Sequence, residues 1–214
     1  MRQRFGITAA VLCLVFAPVL LVGCAKPRPP KTLVAPRIDL ARFGTLGMIE
    51  FTGPSGDGLG VLASREFLAS MQRGQPGTPV VELGNQKRVL ATLSRDELDI
   101  DAIRAIGAKY GVDALVLGAV QAEKVQPNLS FDSAARFLTA AAEIESGLDA
   151  RIVDTHSGAT LWSTATRARA ELGRVDIDGS GISSSGGDRP DDARLRLVRE
   201  LVDDATDDFW PYWQ

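Results

Sequence analysis

The run Gly53-Pro54-Ser55-Gly56-Asp57-Gly58-Leu59-Gly60, with Ala63 three residues on and an acid at Glu82, imitates a dinucleotide fingerprint, in which a glycine turn brings pyrophosphate to a helix N-terminus. In that fingerprint the first glycine follows the strand directly. Here Thr52 to Asp57 intervene, so the run reads as a loop before a helix. Asp176-x-Asp178-x-Ser180-Gly181 has the alternating oxygens and the glycine that open a calcium loop, but its twelfth position is Gly187 where a bidentate Glu is required. Asp203, Asp204, Asp207 and Asp208 lie beside an apolar helical stripe and read as a solvated side rather than a metal motif. His156 is the single histidine and falls in a turn without a local partner for acid–base or triad chemistry. No catalytic residue, metal or cofactor is expected, and the chain is not read as an enzyme.

Cys24 carries the most specific signal. Arg2 and Arg4 make a short positive start, and Phe5 to Val22 is an apolar run broken by Gly6, Thr8 and Pro18, the pattern of an export signal. A membrane-spanning helix is the rival, since about 18 apolar residues just suffice for a span. The run ends in Leu21-Val22-Gly23-Cys24, which resembles the bacterial lipoprotein cleavage box, where small residues precede an acceptor cysteine. Residues 1–23 are therefore expected to be a lipoprotein signal peptide and Cys24 the lipidated residue. The only other cysteine, Cys13, lies in the leader, so thiolate metal sites, cysteine nucleophiles and disulfides are excluded from the mature domain. Ala25 rather than Asp follows the acceptor, which by similarity to enterobacterial lipoproteins favours the periplasmic face of the outer membrane over the inner membrane.

At the other end, Trp210, Tyr212 and Trp213 surround Pro211. Such aromatics either cap the core or form a partner-binding patch.

The chain has 214 residues, 45% of them hydrophobic and 24% charged, a globular composition that excludes collagen, coiled coil and wholesale disorder. Its formal charge of −3, without a long basic run, is the wrong sign for a non-specific nucleic-acid binder. Residues 24–42 hold Cys24 and a proline-rich tether; some fourteen residues at ~3.3 Å each keep the domain within about 45 Å of its anchor.

The domain, residues 43–214, opens as a β-α-β unit: a strand over Thr45–Phe51, a helix over Leu59–Met71 with Leu59, Leu62, Ala63, Phe67 and Met71 on one face, and a strand over Pro79–Leu83. Asn85 caps a short helix reaching Leu93, and Ser94-x-x-Glu97 is a capping-box pattern ahead of Ile103, Ile106 and Tyr110, with Gly111 as the stop. Asp113–Val120 is an apolar run expected for a strand covered on both faces. Leu148–Asp154 and Ala159–Ala168 make an antiparallel hairpin about a Thr155–Gly158 turn. Residues 171–190, rich in glycine and serine, are expected to be a flexible loop. A last helix starts near Asp191 with Leu195, Val198, Leu201, Val202, Ala205 and Phe209 inward, and Pro211 ends it. The expected fold is α/β, a single domain with a mixed, about five-stranded sheet flanked by helices.

Gly111-Val112-Asp113-Ala114-Leu115-Val116-Leu117-Gly118, then Leu148–Asp154 with Ser157-Gly158-Ala159-Thr160-Leu161-Trp162, then a terminal helix ending in aromatics, resembles the periplasmic domain of the curli-secretion lipoprotein CsgG. The same domain type is similar to the LpoB activators of penicillin-binding proteins and to the N-terminal domain of TolB. The resemblance spans about residues 43–210 and implies an envelope lipoprotein working through protein contacts, with an envelope protein as partner and oligomers possible. Its specific roles are a secretion pore subunit and an activator of a peptidoglycan synthase. The curli pore inserts two β-hairpins into the outer membrane, and such strands alternate apolar and polar residues over about ten positions. Residues 171–190 look too polar for that, and Asp132–Ala142, with Ala134, Phe137, Leu138 and Ala141, looks nearer to helical spacing. A pore is therefore not the expected role; docking another envelope protein is.

Overall fold

A computed structural model describes residues 31–54, 58–121, 124–132, 137–178, 181–185 and 190–214. Cys24 and the leader lie outside the described residues. Leu33–Tyr212 form one compact α/β unit. Thr32 and Gln214 belong to a separate unit, in which they exchange backbone N–H···O bonds of 3.0 Å in both directions.

The strands are β1 (Leu33–Val34), β2 (Leu46–Ile49), β3 (Val80–Gly84), β4 (Ala114–Val120), β5 (Lys124–Asp132), β6 (Phe137–Asp154), β7 (Thr160–Asp178), β8 (Gly181–Ser185) and β9 (Tyr212–Trp213). The helices are α1 (Leu59–Gly74), α2 (Gln86–Ala91), α3 (Ile100–Tyr110) and α4 (Pro190–Thr206). The main sheet is mixed and seven-stranded, in the order β3-β2-β4-β6-β7-β8, with β5 also pairing β6. β3, β2 and β4 run parallel, as a β-α-β unit requires, and the rest is antiparallel.

The expected mixed sheet with flanking helices is present. It has seven strands rather than about five because residues outside the expected hairpin also pair. β6 begins at Phe137, so the residues with helical spacing up to Ala142 are strand. Residues 171–178 continue β7, and 181–185 form β8, where a loop was expected. Spacing favoured helix or loop locally; the ladder to a neighbouring strand pairs much of the backbone of these residues and overrides it.

Local signals place most boundaries. Asn85 accepts from the Lys87 amide (2.9 Å), and Gly111 stops α3 with φ of 65°. The expected capping box is not the cap: Ser94 has a positive φ of 54°, and Asp99 caps α3 by accepting from the Ala102 amide (2.7 Å). α4 ends at Thr206, five residues before Pro211, because a 3-10 turn over Asp207–Phe209 takes over. Its buried stripe uses Ala193 and Leu197, with Leu195 half-buried.

α1 and α4 cover one face of the sheet. Their core holds Phe67, Met71, Leu197 and Leu201 against Val116, Leu148, Ile152 and Trp162. α2 and α3 cover part of the other face around Ile106, Leu115, Leu117 and Val153. The near-continuous apolar β4 is thus buried on both sides, as its composition requires.

The β6–β7 turn is tied by Asp154, whose Oδ1 accepts from the Ser157 hydroxyl and amide (both 2.6 Å) and the His156 amide (3.1 Å). Those bonds, the Ser157 hydroxyl first, hold its carboxyl below the usual carboxylate range. A lowered folded-state value means stability that is present above the unfolded value of about 4 and is lost as pH falls through the folded one. Asp154→Asn is therefore expected to lower the urea midpoint at pH 7, and the gap to wild type should narrow below about pH 4.

Candidate functional site

The fingerprint-like glycines have a packing role. Gly58 takes a left-handed φ of 68° just before α1, and a Cβ on Gly60 would run into the Phe51 carbonyl oxygen, so the helix start lies directly on the end of the first core strand. Ser64 Oγ accepts from the Phe51 amide (2.7 Å) and donates to the Gly60 carbonyl (2.8 Å), tying the first turn of α1 to the chain after β2. His156 sits in the turn, its carbonyl accepting from Arg104 Nε (3.0 Å). Of the four terminal aspartates, Asp208 accepts from Arg37 Nη1 and from the Trp162 indole (both 3.2 Å), Asp207 lies 3.9 Å from Arg37, and Asp203 and Asp204 are exposed on α4. No cluster of metal-binding side chains occurs among the described residues.

The three C-terminal aromatics separate in role. Trp210 is half-buried and its indole donates to Ser70 Oγ (3.3 Å), which shares a 2.7 Å hydrogen bond with Thr206 between α1 and α4. Tyr212 lies under Arg37, whose guanidinium carbon is 5.5 Å from the ring centroid. Trp213 is 65% exposed. Arg37, whose guanidinium is held charged by Asp208, and Gln75, whose side chain bonds Ile38, Leu40 and Phe209, clasp the end of the tether to the C-terminal segment. Sequence reasoning missed this clasp because Arg37, Gln75 and Asp208 are far apart in the chain. Truncation after Phe209 removes the Trp210 bond and the Arg37 stacking and is expected to lower Tm by several degrees, whereas Trp213→Ala should leave Tm within a degree or so. Thermal melts of the two variants check this.

The second candidate surface is the arm formed by β5, the first half of β6, the second half of β7, and β8. Register sets Val125, Pro127, Leu129 and Phe131 opposite Ile144, Ala142, Ala140 and Leu138. The same β6 residues stand opposite Ala170, Gly173, Val175 and Ile177, and Ile177 and Val175 stand opposite Ile182 and Ser184. Residues at alternate positions share a face. These fourteen positions across four strands therefore line one face, which carries no charged residue. A shift in register between Ala142 and Glu143 absorbs Leu172. The positions between them line the other face: Lys124, Gln126, Asn128, Ser130 and Asp132 on β5, with Phe137, Thr139, Ala141, Glu143, Glu145, Arg169, Glu171, Arg174 and Asp176 across the ladder, polar at all but Phe137 and Ala141. Residues 137–142 and 171–178 are thus strand, where helical spacing and a loop were expected.

The apolar face continues the core. Ile144 and Leu148 are 1% exposed beneath α4, while Val125, opposite Ile144, is 62% exposed. On the polar side, Arg169 Nη2 lies 3.1 Å from Glu145 Oε2, and a cleft of about 640 Å³ opens toward Glu50, Gln86, Asp149, Arg151 and Ser163. β5 has 9 residues, at the lower end of the about 9–11 of a tilted membrane-spanning strand, and β8 has 5. Among the described residues, no helix is long and apolar enough to cross a membrane.

No family model matches the chain, and no curated relative does. Among solved structures it is similar to the PelC dodecamer from Paraburkholderia phytofirmans, at 12% identity over 86% of this chain and 98% of that one, with a TM-score of 0.43. It is similar to lipoprotein GNA1162 from Neisseria meningitidis, at 18% identity over 75% and 96% of the two chains, TM-score 0.38. The C-terminal domain of LpoB from Salmonella enterica is similar at 10% identity over 63% and 95%, TM-score 0.35. The likenesses thus include bacterial lipoproteins.

Proposed function

We propose that the protein is a lipid-anchored, non-enzymatic lipoprotein of the outer membrane that assembles in several copies, the β5–β8 arm of each supplying strands to a shared membrane barrel. The observation that supports this reading is the register of the arm: fourteen uncharged positions on one face against a mostly polar opposite face that also takes Phe137 and Ala141. Spanning strands need that alternation. A single four-stranded sheet cannot close, and β5 and β8 are its two edges, so closure in lipid requires neighbouring copies to pair them. Cys24 and the short tether would hold the domain within reach of the same membrane.

The exposed Tyr212 and Trp213 favour a second reading, docking of another envelope protein at the C-terminal end, because exposed aromatics are typical interface anchors. The deciding experiment takes the full-length chain, purified from membranes, into planar bilayers and onto a detergent sizing column. A ring-sized oligomer with discrete conductance steps is the expected result. A monomer without steps overturns the barrel and leaves the docking role. Cys24→Ser is expected to leave an unprocessed precursor or a released protein, and recovery of acylated protein from that variant would end the lipid-anchor reading.

A further inference from the structure

The cleft of about 640 Å³ is cut into the part of the sheet face that α2 and α3 leave open, with Leu117 and Ala119 of β4 as its floor and Leu98 at one side. That volume is typical of small-ligand pockets, which run from about 300 to 1,000 Å³. Thr52 bridges Ala119 and Arg151 pairs Leu117, so β4 runs between Glu50, on the chain just after β2, and Arg151 on β6. Two strand spacings put their backbones ~10 Å apart. Neither charge is matched within the fold: among the described residues no hydrogen bond or ion pair ties the Glu50 carboxylate or the Arg151 guanidinium. Glu50 is half-buried, which takes water from its side chain without supplying a protein donor. Asp149, two positions from Arg151 on the same face of β6, accepts instead from Gln121 Nε2 (3.2 Å). One cation and two carboxylates give the lining a net charge of −1, which disfavours a free anion.

We infer that this cleft binds a short zwitterionic peptide, its terminal carboxylate on Arg151, its terminal ammonium on Glu50 and an apolar side chain on Leu117 and Ala119. A guanidinium fork meets a carboxylate through two parallel N–H···O bonds, and a carboxylate accepts from an ammonium. A single amino acid holds its two charges too close together to meet both walls. Two residues separate them by about 7 Å, which the Glu and Arg side chains bracket from backbones ~10 Å apart. Gln86 and Ser163 on the rim offer an amide and a hydroxyl to the peptide bond. The site belongs to the body of the fold and does not depend on whether the arm meets lipid.

The test is calorimetric titration of the full-length chain in detergent with leucylalanine, beside its N-acetyl and C-amide forms. Expected is saturable binding with a Kd of about 1 mM or tighter, weakened roughly tenfold or more by either cap. Arg151→Gln should lose the preference for the free carboxylate and Glu50→Gln the preference for the free ammonium, each with a loss of similar size. Arg65→Gln, an exposed change on α1 away from the cleft, should alter nothing. No saturation by about 10 mM leucylalanine, or binding unmoved by either variant, overturns the inference. Equal or tighter binding of the amide overturns it as well, the tighter case pointing to a cationic ligand. Circular dichroism checks that the variants fold; should one not, the two capped peptides on wild type decide by themselves, since they need no substitution.

Discussion

Arginine placed on the apolar face of the arm, as Leu129→Arg or Ala140→Arg, is expected to abolish membrane integration, whereas Ser130→Arg and Thr139→Arg one position away should leave it intact. Leu129 and Ala140 are register partners midway along the arm, and Val175 continues their row. A lipid-facing Arg at the bilayer midplane costs about 2–4 kcal/mol, and in an oligomer every copy bears that cost. Even the lower figure is more than a tenfold shift per copy, so the assembled form should vanish rather than weaken. Ser130 and Thr139 face one another on the polar side, where an extra cation meets water and nearby carboxylates. The measurement is the fraction of protein resisting urea extraction from membranes, with circular dichroism of the extracted chain as the check on folding. Equal loss from both faces would show that the arm does not meet lipid through one of them. The same comparison separates lipid from a protein partner, because a docking surface would lose the partner and keep the anchor's extraction profile.

Phe67→Ala is expected to destabilise the domain by about 3–5 kcal/mol, lowering Tm by roughly 10 °C or more. Phe67 is fully buried on α1 at the centre of an aromatic cluster, with ring centroids 5.1 Å from Phe51, 6.2 Å from Phe209 and 6.4 Å from Trp162. It joins β2, β7 and the C-terminal segment, so the space it leaves is bounded by several elements and cannot collapse by moving one of them. Val61 on the same helix is 39% exposed, and Val61→Ala should change stability by less than about 0.5 kcal/mol. Calorimetry of the two variants gives the comparison. A small effect at Phe67 would mean that the cluster packs loosely and that the α1–α4 layer is held elsewhere.

Much of the body was readable residue by residue. The β-α-β start, Asn85 and Gly111 rest on signals a few residues long, where a cap or a left-handed glycine acts on its own neighbours. The Ser94 pattern failed for a local reason too: Asp99, nearer the first apolar turn, accepts the helix amide, and Ser94 is left in a turn. The clasp of Arg37, Gln75 and Asp208 left no such trace, since its bonds join residues 35 to 171 positions apart.

The arm marks the division most clearly. The lipoprotein-like box at Leu21 to Cys24, the charge balance and the α/β order of elements are legible in composition and short-range pattern, because such boxes, capping and helical periodicity all act within a few residues. The character of residues 124–132, 137–145, 169–178 and 181–185 does not. Gly173, Arg174, Asp176 and Asp178 make a loop-like run when taken alone, and Ala140 to Ala142 suit a helix. Each of these strands mixes polar and apolar residues, so nothing in one of them tells a wet loop from the polar side of a sheet. Pairing with β6 aligns Ile177 with Leu138 and Val175 with Ala140, and four segments of mixed character become a sheet with one uncharged face. Strand alternation acquires meaning only when a partner fixes the register, and that partner is brought in by the fold.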